Sequence, residues 1–251
     1  MNKPIRALTA ALLAIGCALS AVPAHASVVI AGTRVVFPAK DGEVTVRLSN
    51  QNTTPALIEA WIDSGDSQST PDKVHTPFLI TPPLFRMEPN RDQSLRILFT
   101  HSDQPLPTDR ESVFWLNVLE VPPKPSGPQF QGKNVLQMAI RSRLKLFYRP
   151  DQLAGDPQKA PSELSFKAAS EAGAAALVVH NPTPYYITIG EITVNVGGTS
   201  HKVDTGMVAP RSDLRVSIPD LKQAPSAGDA IQYNCITDFG SIVVLKGTVS
   251  S

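Results

Sequence analysis

After residue 26, apolar and polar residues alternate at every second position along most of the chain, and no stretch keeps a helical period, so the chain predicts strands almost throughout. SVVIAGTRVVFP from Ser27, EVTVRLSN from Glu43, ALIEAWID from Ala56, PFLITPP from Pro77, QSLRILF from Gln93 and SVFWLNVLEVPP from Ser112 are short β patterns separated by Pro, Gly, Asn and Asp clusters. The seventh run, NVLQMAIRSRLKLFYRP from Asn134, is longer. It sets Leu136, Met138, Ile140, Leu144, Leu146 and Tyr148 on one face, broken only by Ser142, and Gln137, Arg141, Arg143 and Lys145 on the other. From Asn134 to Tyr148 it would reach roughly 50 Å, more than twice an ordinary strand. Three readings are open: a strand running between two sheets or domains, an edge whose apolar face Leu136, Met138 and Ile140 awaits a partner, or a bent core strand.

Seven strands in about 120 residues predict an immunoglobulin-like sandwich, with Trp61 a natural core residue and no Cys…Trp…Cys pattern of the antibody type. Past Tyr148-Arg149-Pro150 a polar connector, DQLAGDPQKAPSE, leads to ELSFKA, AALVVHN, YYITIGEITVNV, DLRVSIP, DAIQYNCIT and SIVVLKGTV, a second all-β domain. The expected division is residues 27–148, a hinge at 149–151, and 152–251, with so little chain between the domains that a cleft at a fixed angle separates them.

Composition changes this picture at the N-terminus. Lys3 and Arg6, the apolar run Ala7 to Val22 and the small-x-small site Ala24-His25-Ala26 read as an export signal over residues 1–26, leaving a chain that begins at Ser27. A lipid-attachment reading at Cys17 fits less well, because the apolar run continues beyond it. Loss of Lys3 and Arg6 turns the formal charge of +1 into −1, which is no nucleic-acid footprint. No other run approaches the roughly 18 to 20 apolar residues that insert across a membrane. Cys235 is then the lone cysteine, read as a small buried hydrophobe without a disulfide partner. His75, His101, His180 and His201 show no metal-ligand spacing, and no nucleophile elbow, phosphate loop or dinucleotide fingerprint occurs, so neither catalysis, a metal nor a cofactor is expected.

LPTDRESVFWLNVLEVPP, Leu106 to Pro123, resembles the signature of the periplasmic pilus (fimbrial) assembly chaperones along its whole length. TRVVFPA from Thr33, NVLQMAIRSRLKLFYRP, NPTPYYIT from Asn181 and TDFG from Thr237 extend the resemblance over essentially the whole mature chain. It implies two immunoglobulin-like domains set as an L or boomerang around a cleft, no enzymatic activity, and a periplasmic location. The partners it implies are pilus subunits, bound by donor-strand complementation, and an outer-membrane usher. Arg34 and Lys145 are then the pair that grips the subunit's C-terminal carboxylate, and Leu136, Met138 and Ile140 the donor residues that fill its groove. Glu111, Arg149 and Asp238 form the interdomain charge cluster. The modest loop PPKPSGPQFQGK before the donor residues, without cysteine, resembles the short-loop subclass. Strict alternation puts Lys145 on the face opposite the donor residues, so its role rests on the motif alone. Whether the unliganded chain self-associates through the same edge stays open.

Overall fold

A computed structural model describes residues 28–100, 105–171, 174–218, 221 and 224–250. The export signal, Ser27, Cys17 and His101 lie outside the described residues. The N-terminal half contains β1 Val28–Ile30, β2 Arg34–Pro38, β3 Glu43–Asn50, β4 Ala56–Asp63, β5 Phe78–Thr81, β6 Leu84–Met87, β7 Arg91–Phe99, β8 Ser112–Val121 and β9 Ile140–Arg149. They form two sheets, β1-β3-β7-β5 and β2-β9-β8-β4-β6. Nine strands replace the expected seven because the first run changes sheet midway and because β6, Leu84–Met87, lies outside every expected run. Gly32, with φ of 91°, turns the chain between β1 and β2, and Pro82-Pro83, with no N–H to donate, separate β5 from β6.

The two sheets close on Phe37, Leu48, Ile58, Leu95, Leu116 and Leu146. At the end of this sandwich nearest the second half, Phe37, Phe78, Phe99, Phe114 and Tyr148 pack ring on ring, with Phe99 and Tyr148 centroids 4.7 Å apart and Phe78 and Phe114 4.9 Å apart. This cluster pins the inner faces of β2 and β9, which run parallel in the register Arg34↔Lys145 to Pro38↔Arg149. The opposite faces of the same strands are thereby aimed outward, towards the second half.

Trp61 departs from expectation. It is buried but belongs to the outer face of its sheet, not to the core between the sheets, where Ile58, Ala60 and Ile62 sit. Parity alone separates it from those three residues.

The C-terminal half holds β10 Ser165–Glu171, β11 Ala174–Asn181, β12 Ile187–Val196, β13 Thr199–Asp204, β14 Met207–Val208, β15 Ser212–Ile218, β16 Ala230–Ile236 and β17 Ile242–Ser250, in the order β13-β12-β16-β17-β10-β11-β15 with β14 on β12. Its core gathers Phe166, Leu177, Ile189, Ile192, Tyr233 and Cys235. Strands β13 and β14 were not expected. β13 has no buried residue, so no apolar face announces it, although Gly197-Gly198 with positive φ is a two-residue hairpin turn.

Cys235 is fully buried, and loss of hydration pushes its thiol up to about 12. A thiol reagent at pH 8 is therefore expected to leave the folded mature chain unmodified and to label it stoichiometrically in denaturant. Rapid labelling of the native protein would contradict this placement.

Candidate functional site

The long strand of the sequence begins later than its pattern predicts. Strand β9 starts at Ile140, and residues 134–139 carry no strand pairing. The reason lies in the neighbour: β8 pairs with β9 as far as Glu120↔Ile140, and β8 then ends in Val121-Pro122-Pro123, where two residues lack a donor. The alternation persists beyond the pairing. Leu144 and Leu146 are buried, whereas Ile140, Met138 and Leu136 are 49%, 66% and 83% exposed. The strand's core-facing side thus overruns its own sandwich. On the opposite edge β2 pairs only with Lys145 to Arg149, which leaves the backbone of Ile140 to Leu144 bonded on one side alone among the described residues.

Arg34 and Lys145 stand side by side where this edge meets the second half. Lys145 Nζ lies 3.3 Å from Thr188 Oγ1, and Arg34 Nη1 donates to the Ile236 carbonyl at 3.1 Å. The Arg34 guanidinium sits 5.9 Å from the Phe147 ring centroid, and its Nε is buried without a hydrogen-bond partner. No carboxylate among the described residues lies within ion-pair distance of either cation. Burial lowers the Lys145 pKa, and the neighbouring Arg34 charge lowers it further; burial also lowers that of Arg34, with Asp238 only partly offsetting it. Two half-desolvated like charges without an anion are electrostatically unfinished. Next to them, a cavity of about 160 Å³ between the halves is lined by Arg34, Phe147, Tyr186, Ile236, Asp238 and Phe239.

The three expected cluster residues do meet. Arg149 donates to Glu111 Oε1 at 2.6 Å and, with both terminal nitrogens, to Asp238 at 2.8 and 3.1 Å. Glu111 also accepts from the Tyr186 N–H at 2.8 Å. Burial drives the Glu111 carboxyl above its ordinary pKa, and Arg149 and the Tyr186 N–H pull against that shift. Glu111 is buried and Asp238 comes from the other half, so the cluster ties the two halves together at a cost in desolvation that offsets much of its attraction. Gly240, at φ of 81°, completes the contact: a Cβ there would stand 2.5 Å from Thr33 Oγ1, so only glycine lets the TDFG turn lie against the residue before Arg34.

A second polar assembly escaped the sequence reading. On the outer face of the β2-β9-β8-β4-β6 sheet, buried Asp63 accepts from Arg143 Nη2 at 2.5 Å, Asn117 Nδ2 at 2.7 Å, the Gly65 N–H at 2.7 Å and Ser69 Oγ at 3.1 Å. Trp61 Nε1 donates to Ser69 Oγ at 3.2 Å. Burial works against the charged form of Asp63, but the hydrogen bonds from Arg143, Asn117 and Gly65 outweigh it and hold the pKa below the ordinary 3.8. A carboxylate depressed in the folded state stabilises the fold fully above its unfolded pKa, and that contribution is lost as the pH falls through the folded pKa. Urea unfolding of wild type and Asp63→Asn is expected to differ most at neutral pH and to converge below about pH 4. A gap independent of pH would contradict an ionised, stabilising Asp63.

His180 pairs with Asp213 on the surface at 2.7 Å, and no group of His, Cys, Asp or Glu among the described residues could hold a metal. No helix among the described residues is long and apolar enough to cross a membrane.

The same two-part division appears in comparison with known proteins. Residues 27–154 match the model described as pili and flagellar-assembly chaperone, PapD N-terminal domain, and residues 159–246 the pili assembly chaperone PapD, C-terminal domain. The chain is 44% identical to the chaperone protein FimB/FhaD of Bordetella pertussis over 98% of its own length and 96% of the relative's. It is 39% identical to the probable fimbrial chaperone YadV of Escherichia coli, over 94% and 95%. The crystal structure of YadV superposes with a TM-score of 0.75 at 36% identity, covering 89% of this chain and all of that one. The SafB chaperone of Salmonella enterica, solved in complex with the SafA pilin, gives 0.72 at 30% identity, covering 91% and 99%. Both halves are therefore immunoglobulin-like sandwiches, and with both domain models matched and full-length relatives of this similarity, the chain belongs to the pilus-assembly chaperone family, whose members are periplasmic and are not enzymes.

Proposed function

We propose that this protein captures pilus subunits in the periplasm, completes their sandwich by donating residues Leu136 to Leu144 as a strand, and passes them to an outer-membrane usher. The observation that carries the reading is the apolar face that continues past the end of its own sandwich, exposed at Ile140, Met138 and Leu136 beside an unpaired backbone edge. A subunit that lacks its last strand exposes both a sheet edge and a core groove, and this segment answers both needs. The pilin bound by the SafB relative supports a subunit as the ligand. Arg34 and Lys145 supply the second anchor, since the only anion a chain terminus offers there is its carboxylate, and two charge-assisted donors fix register as well as affinity. Arg149, Glu111 and Asp238 hold the two domains around that anchor, with residues 149–151 as the hinge.

The test uses an exported subunit with an incomplete sandwich, co-expressed with the full chain. A one-to-one complex is expected from the periplasmic extract. Appending two glycines to the subunit's C-terminus moves its carboxylate out of register and is expected to lower complex yield by about tenfold or more, the cost of one lost charge-assisted contact. Equal yield for both subunits would contradict the carboxylate anchor.

A further inference from the structure

We propose that Asp63, Arg141 and Arg143 form a positioning clamp that holds the start of β9 extended before any subunit arrives, an inference that rests on the donor-strand reading above. Ile140 to Leu144 have a strand neighbour on one side only, and on the core-facing side their anchorage fades from buried Leu144 through half-buried Ser142 to exposed Ile140. A half-paired strand end of this kind frays in isolation. Its other face is held instead. The Arg141 guanidinium lies 5.6 Å from the Trp61 ring centroid and donates to the carbonyls of Ser67 and Ser69, the latter at 3.3 Å. Arg143 lies 4.7 Å from the Trp115 centroid and forks onto Asp63.

The carbonyls that receive Arg141 are themselves fixed. Asp63 binds the Gly65 N–H and Ser69 Oγ, and Trp61 Nε1 binds the same hydroxyl, so the loop after β4 folds over the outer face of the sheet. Asn117, paired across the sheet with both Trp61 and Arg143, gives its amide to Asp63 and to the Trp115 carbonyl. Residues 141 and 143 alternate with the donor-face positions, so tying Arg141 to this loop and Arg143 to Asp63 at the end of β4 keeps the intervening backbone extended without touching the face offered to a subunit. Preorganisation lowers the ordering cost at capture and should act mainly on its rate.

Arg141→Ala in the full mature chain tests this, because Arg141 is exposed and its loss leaves the Asp63 to Arg143 pair in place. Hydrogen exchange is expected to quicken by about tenfold at the β8-bonded amides of residues 140–144, with those of 145–149 unchanged and the melting temperature nearly so. Subunit capture should slow by a factor of about five, and Arg141→Lys, which cannot reach both carbonyls with one planar fork, should restore little. Unchanged exchange at 140–144, or a uniform rise across β8 and β9, would overturn the clamp. Faster local exchange with capture at the wild-type rate would overturn its role in capture. Met138→Glu measured alongside separates the two ideas: if it too captures normally, the donor-strand reading itself has failed.

Discussion

Met138→Glu is expected to abolish subunit capture while leaving the chaperone folded, and Gln137→Glu to be mild. Neighbouring residues of a strand point to opposite faces, so only the first substitution puts a carboxylate into the subunit's groove. Loss of the Met138 side chain forfeits about 2 kcal/mol of apolar burial, and an unpartnered carboxylate losing its water adds several more. Gln137 shares the face of Arg141, and its side chain donates to the Pro122 carbonyl at 2.7 Å, within the chaperone's own loop. Met138 is 66% exposed, so it contributes little to the free fold and the melting temperature of Met138→Glu should match wild type. Equal loss of co-purified subunit for both variants would place the donor face in the wrong register. A large drop in melting temperature for Met138→Glu would return the residue to the chaperone's own core.

Arg34→Ala and Lys145→Ala are each expected to eliminate stable complexes with circular dichroism unchanged. Neither cation has a carboxylate partner among the described residues, so its removal frees the fold from a half-desolvated charge instead of stranding one. In the complex the loss runs the other way. A subunit carboxylate left with one donor in a partly dry cleft costs about 2 to 5 kcal/mol, or on the order of 30-fold to several-thousand-fold in affinity. The free variants should therefore be at least as stable as wild type in urea. Wild-type yield of complex from either variant would remove the carboxylate anchor from the account, and marked destabilisation would make the pair a structural feature of the domain interface.

Much of this was legible in the sequence because strand parity is a local property. The exposed apolar face at Leu136, Met138 and Ile140, the buried Leu144 and Leu146 with half-buried Tyr148, and the second domain's core strands all follow from alternation. Two features were misread for physical reasons. The run from Asn134 has the pattern of one strand, but pairing depends on a neighbour, and β8 supplies none past Val121. Trp61 was assigned to the core as the tryptophan of an immunoglobulin-like sandwich, although its parity with Asp63 places both on the outer face. The network around Asp63 joins residues from 61 to 143 through three strands and a loop, and no spacing along the chain encodes such a contact. The pairing of Arg34 with Lys145 was equally invisible to periodicity, since it depends on a parallel register between strands more than 100 residues apart. Only the motif resemblance singled it out.

The central claim is that residues 136 to 144 become a strand of the subunit's sandwich. Hydrogen exchange of the purified one-to-one complex, compared with the free chaperone peptide by peptide, tests it most directly. The expected result is that amides from Leu136 to Leu144 slow by about a hundredfold or more on binding, including those of residues 140–144 that face away from β8 in the free chain and gain a partner on the second edge, while β10 to β17 change little away from Thr188 and Ile236. A stable complex in which residues 136–144 exchange as fast as in the free chain, with new protection elsewhere, would contradict it.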